Sequence, residues 1–169
     1  MHAMDDTAAW KSGQPIRAAE LIGAAAALAA ALPARRYVLN LCRDRYRFIV
    51  GLGAAMIARR ITLLPPGHGE AAMRDIRRDF GDLCCLADHE DIPAGIEIVR
   101  VRADTRGPAL RGIPAFPGEQ AAAIVFTSGS TGAPLPCAML LNVRSQRPQR
   151  SEDTLVVGIV RAQLKTVNL

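Results

Sequence analysis

The chain has 169 residues and a mass of 18.1 kDa, half apolar and 22% charged, which excludes wholesale disorder and allows one domain-sized core. Its formal charge of +5 is concentrated at the end, where five basic residues against Glu152 and Asp153 give residues 137–169 a charge of +3. The weakly charged remainder, with Arg35-Arg36, Arg59-Arg60 and Arg77-Arg78 as scattered pairs and Trp10, Tyr37 and Tyr46 far apart, excludes a nucleic-acid-binding face and a base-stacking platform.

Residues 1–14 lack periodicity and are expected to be a loose N-terminal arm. A helix is predicted from Pro15 to Leu32, with Ile16, Leu21, Leu28 and Leu32 on its buried side and Pro33 closing it. Its alanine-rich stretch follows Asp5, Asp6 and Glu20, and alanine is a strong helix former but a weak membrane residue. A soluble amphipathic helix is expected, with no export signal and no membrane span.

Tyr37–Leu41 reads as a strand, Asp44 as an N-cap, and the following segment as a helix with Phe48, Leu52 and Met56 at four-residue spacing. Gly51 and Gly53 would each cost an exposed helix about 1 kcal/mol relative to alanine, so close packing against a neighbour is expected there. Ile61–Leu64 is a strand stopped by Pro65, Pro66 and Gly67. Glu70–Phe80 is a helix with Met73, Ile76 and Phe80 on one face.

Asp82–Leu86 and Ile96–Val101 are further strands. Cys84 and Cys85 fall in the first of them as buried, inert thiols; with Cys42 and Cys137 they show neither zinc spacing nor a disulfide framework, which points to a reducing cytoplasm. His68 is a lone loop histidine. His89, among Asp88, Glu90 and Asp91, reads as a solvated turn, and no metal site is assigned. Six glycines and prolines between Thr105 and Gln120 mark a surface connection. Alternating strands and helices predict an α/β domain with a mostly parallel sheet, whose ligands sit outside the carboxyl ends of the strands.

The apolar run Ala121–Phe126 enters Thr127-Ser128-Gly129-Ser130-Thr131-Gly132-Ala133-Pro134 directly. Glycine lets backbone approach a ligand closely, and amides and hydroxyls can donate to phosphate oxygens, so the segment has the makings of a polyphosphate cradle. A serine- and glycine-rich linker has a similar composition, but a linker is rarely delivered by a buried strand. No Lys-Ser or Lys-Thr pair follows the glycines, so this is not a Walker loop.

This string resembles the phosphate-loop signature of the adenylate-forming (AMP-binding) superfamily, which includes acyl-CoA and acyl-carrier-protein synthetases, peptide-synthetase adenylation domains and luciferases. A second, weaker likeness spans Asp44 to Pro66; together the resemblance covers about Pro15 to Pro136. It implies a partial N-terminal domain over residues 15–136. It also implies a reaction in which a carboxylic acid and MgATP form an acyl-adenylate, whose acyl group passes to the thiol of CoA or a carrier protein. Thr127, Ser128, Ser130 and Thr131 would contribute hydroxyls to the β and γ phosphates, with Gly129 and Gly132 shaping the backbone.

The chain departs from the family at Leu135, where a lysine is usual, and it lacks the segments for adenine, magnesium and ribose and the catalytic lysine of the C-terminal lid. The expected object is an N-terminal fragment, inactive alone, with residues 137–169 an atypical basic tail produced by a frameshift or rearrangement near Pro136. A second reading stays open: a noncatalytic nucleotide-binding or protein-interaction module that uses the basic tail against an acidic partner.

Overall fold

The computed structural model describes residues 4–11, 13–65, 67, 69–92, 94–102, 104–108, 112, 114–117, 120–128 and 134–140; at 127, 128, 134–137, 139 and 140 it describes the backbone alone. The elements in chain order are β1 (Thr7–Lys11), β2 (Gln14–Arg17), α1 (Ala18–Ala31), β3 (Tyr37–Asn40), α2 (Arg45–Ile57), β4 (Ile61–Leu64), α3 (Glu70–Asp79), β5 (Leu83–Ala87), β6 (Glu97–Arg100), β7 (Ala121–Ser128) and β8 (Pro134–Leu140). Strands β6-β5-β3-β4-β7 form a parallel sheet in that order, and β8 returns antiparallel beside β7. This is the α/β, mostly parallel architecture expected from the alternating pattern.

The pleat divides the core. Val38, Cys84 and Leu86 face a layer built from Leu21, Ala24 and Leu28 of α1 and Ile49, Val50 and Ala54 of α2. Leu39, Leu63 and Cys85 face Met73 and Ile76 of α3 on the other side. Because side chains alternate along a strand, the adjacent cysteines go to opposite faces and both are fully buried. Each fully buried leucine here contributes roughly 1.5–3 kcal/mol of hydrophobic stabilisation.

Asp44 caps α2 as expected, accepting from the amide of Arg47. Gly51 and Gly53 are also where packing is tightest: a Cβ on Gly51 would lie 2.9 Å from Asn40 Nδ2, and one on Gly53 3.1 Å from Ala25 Cβ. The glycines thus let α2 approach both the sheet and α1.

The N-terminal arm is not loose. β1 and β2 form a hairpin joined by Ser12 and Gly13, the latter at φ 79°, with Trp10 opposite Pro15 and Ala9 opposite Ile16. Ala9 and Ile16 are buried in the core, which supplies the energy the two short strands need. The helix consequently begins at Ala18 rather than Pro15: Pro15 is in a strand, and the amides of Ala18 and Ala19 donate to the carbonyls of Asp6 and Met4, at 2.9 and 3.0 Å. These bonds replace a side-chain cap, which Arg17 does not provide.

At the other end, β8 runs through Leu140, with Cys137 paired to Val125, Ala138 to Ile124 and Met139 to Ala123. The sheet therefore crosses the boundary expected at Pro136, and residues 137–140 belong to the fold. Residues 141–169, which include the apolar run Leu155–Val160, lie outside the described residues. Among the described residues no helix is long and apolar enough to cross a membrane.

Candidate functional site

In a parallel sheet every strand ends on the same edge, so the carboxyl ends of β3, β4, β5, β6 and β7 gather Asn40, Leu64, Ala87, Arg100 and Ser128 along one rim. β3 leads through α2 to β4 on one side of it, while β4 leads through α3 back to β5 on the other. The two connections cover opposite faces, so the rim between β3 and β4 is the point where the strand order reverses, the usual ligand position in such sheets.

β7 lies next to β4, with Thr62 beside Ala123, Leu63 beside Ile124 and Leu64 beside Val125. Its position is held from both faces. On one, Phe126 meets Phe80 edge-to-face at 5.8 Å and Phe80 meets Tyr37 at 5.0 Å, an aromatic row running from β3 past the end of α3 to β7. Such contacts contribute about 0.5–1.5 kcal/mol each beyond the area they bury. On the other, Phe116 packs with Leu52, Met56 and Ala122, and Gln120 Nε2 donates to the Met56 carbonyl at 2.8 Å. The connection before β7 thus has no regular secondary structure among its described residues, as expected, but is pinned to α2.

Thr127 and Ser128 complete β7 at the rim. Their backbones pair with Leu135 and Pro134 of β8, so residues 129–133 connect two strands already joined at the last pair. Of the six residues singled out from the sequence, Thr127 and Ser128 have described backbones, whereas Gly129, Ser130, Thr131 and Gly132 lie outside the described residues. The structure therefore places the end of β7, where the loop begins, at the rim beside the end of β4.

A second cluster on this rim, Asp88 to Asp91, is exposed at Glu90 and Asp91 as a solvated turn should be, but Asp88 is held at its base. The Asp88 carboxylate, 3% exposed, accepts from the amides of Arg43 and Asp44, both at 2.9 Å, and from the Arg47 guanidinium at 3.4 Å. His89 Nε2 lies 3.0 Å from the Leu41 carbonyl oxygen, while Arg100 donates to the His89 carbonyl and to Glu90. Asn40 completes the turn: its Nδ2 donates to Phe48 O at 2.9 Å, and its Oδ1 accepts from the Cys42 amide at 3.2 Å.

Burial by itself would raise the Asp88 carboxyl, but the Arg43 and Asp44 amides and the Arg47 charge outweigh it, so its pKa is held below the ordinary carboxylate value. These residues fix the start of α2 at the rim. The available signal in the sequence was the position of Asp88, directly after the wholly buried strand Leu83–Ala87, where an unpartnered carboxylate would be costly.

The three thiols among the described side chains, Cys42, Cys84 and Cys85, are poor nucleophiles. Desolvation pushes Cys42 and Cys85 up to about 12 and Cys84 up to about 11, so at neutral pH none of them is an appreciable nucleophile. Among the described residues no three His, Cys, Asp or Glu side chains gather into a cation site. His68 lies outside the described residues.

No protein-family model matches the chain, and no curated protein matches it. Solved structures do. A malonyl-CoA ligase in a ternary product complex with methylmalonyl-CoA and AMP superposes with a TM-score of 0.67 at 24% identity, over 82% of this chain and 30% of that one. The N-terminal subdomain of Klebsiella oxytoca NpsA, in complex with 3-hydroxybenzoyl-AMSN, gives 0.65 at 18% identity, over 82% of this chain and 38% of that one. The o-succinylbenzoate CoA synthetase MenE of Bacillus subtilis, with its acyl-adenylate intermediate OSB-AMP, gives 0.60 at 18% identity, over 80% and 39%. The chain therefore shares the fold of the N-terminal part of such ligases and spans 30–39% of the length of these three chains.

Proposed function

We propose that the chain is the opening part of an adenylate-forming ligase, and that Thr127, Ser128, Gly129, Ser130, Thr131 and Gly132 hold the β and γ phosphates of MgATP. One observation carries this reading: the Thr-Ser-Gly-Ser-Thr-Gly string begins with the last two residues of β7, on the rim of a sheet whose fold is shared with solved acyl-adenylate-forming ligases. Ligand chemistry in parallel sheets is concentrated on that rim.

The residues fit a polyphosphate. Thr127 and Ser128 close a strand that is held on both faces, which anchors the start of the loop, and a glycine has no Cβ to keep a ligand from the backbone. Bound MgATP would supply the electrophilic α-phosphorus that a carboxylic acid attacks, with CoA or a carrier protein as the later thiol acceptor. This chain's own part is to orient the departing pyrophosphate and neutralise its charge. Leu135 supplies no cation, so within residues 127–135 this falls to amide and hydroxyl donors. The chain alone binds phosphates without forming an adenylate, and it works in the cytoplasm.

The test is titration of the isotopically labelled chain with magnesium tripolyphosphate, followed by amide NMR. Shifts concentrated at residues 127–132, and lost in Ser130→Ala/Thr131→Ala, are expected in the range of about 0.1–10 mM. Shifts confined to Arg144, Arg147 and Arg150 would instead favour the basic-tail module, and no response at the loop would reject the phosphate assignment.

A further inference from the structure

We draw no further inference here: the strongest candidate, the cleft beside the first turn of α2 lined by Arg47, Arg100 and Arg102, carries no anion site, because each guanidinium is already paired, with Asp88, Glu90 and Asp104 respectively, and a helix N-terminus alone does not make one.

Discussion

Gly51 faces Asn40 across the junction of α2 and β3, so closely that a Cβ on the glycine would stand 2.9 Å from the asparagine Nδ2 and 3.0 Å from Leu86 Cδ1. The asparagine cannot withdraw, because it bridges the Phe48 carbonyl and the Cys42 amide. Gly51→Ala is therefore expected to destabilise the protein by about 1–3 kcal/mol despite alanine's better helix propensity. Gly53→Ala meets only Ala25 Cβ, at 3.1 Å. There the gain in propensity of about 1 kcal/mol should offset most of the crowding. Urea denaturation of the two variants would show the difference as separate midpoints at equal slope, and equal midpoints would contradict the packing described for Gly51.

Asp88 supports a pH prediction. Its folded pKa is lower than its unfolded one, so its contribution is present at neutral pH and is lost as pH falls through the folded value. Asp88→Asn keeps one acceptor oxygen but loses the charge that faces Arg47 and the two amides. A cost of about 2–4 kcal/mol is expected at pH 7. The gap from the unaltered protein should narrow steadily as the pH is lowered below the ordinary carboxylate range. A gap that stays constant with pH would mean the residue acts through shape alone.

Phe126 links the stability of the sheet to the geometry of the loop. Phe126→Ala removes the edge-to-face contact with Phe80 and loosens the strand immediately before Thr127. For this partly buried ring a loss of about 2–3 kcal/mol is expected, less than a fully buried phenylalanine would give. Tripolyphosphate binding should weaken in the same variant even at temperatures where it remains folded. Unchanged binding would show that the loop does not depend on how its strand is anchored.

Thiol reactivity gives a fourth prediction. With pKa values pushed up to about 12, 11 and 12, Cys42, Cys84 and Cys85 should resist alkylation at neutral pH in the folded protein and become reactive in urea. Site-resolved mass spectrometry after iodoacetamide treatment should find rates at least about 100-fold slower in the native state for Cys84 and Cys85. Rapid native labelling of either would contradict the burial of β5.

Where the sequence was informative, a local signal agreed with the tertiary one. Asp44 is both a good cap and the observed cap, and Ile61–Leu64 is both an apolar run stopped by prolines and the observed β4. The hairpin at the start was missed because its strands are too short for periodicity to register. Its one local mark, Ser12-Gly13, makes sense only once Ala9 and Ile16 are known to be buried together. β8 was missed because the residues from 137 on were read as an atypical tail that begins at Pro136; proline is tolerated in an edge strand, and among the described residues β8 pairs with β7 alone. Asp88 was read as solvated because its partners are the amides of Arg43 and Asp44, far away in sequence. In the loop, the residue types were legible, and the fold added only that the backbones of Thr127 and Ser128 end β7; residues 129–132 lie outside the described residues.

The return of β8 also sets the route the chain takes next. Leu140 pairs with Ala121, at the start of β7, so the polypeptide leaves the sheet on the edge opposite the loop. Seven strand residues at about 3.4 Å each put that exit roughly 20 Å from Pro134. Whatever follows Leu140, in this chain or in a longer relative of the same fold, starts from the far side of the sheet. Loop and exit thus stand at opposite ends of β8, close in sequence and a strand's length apart in space.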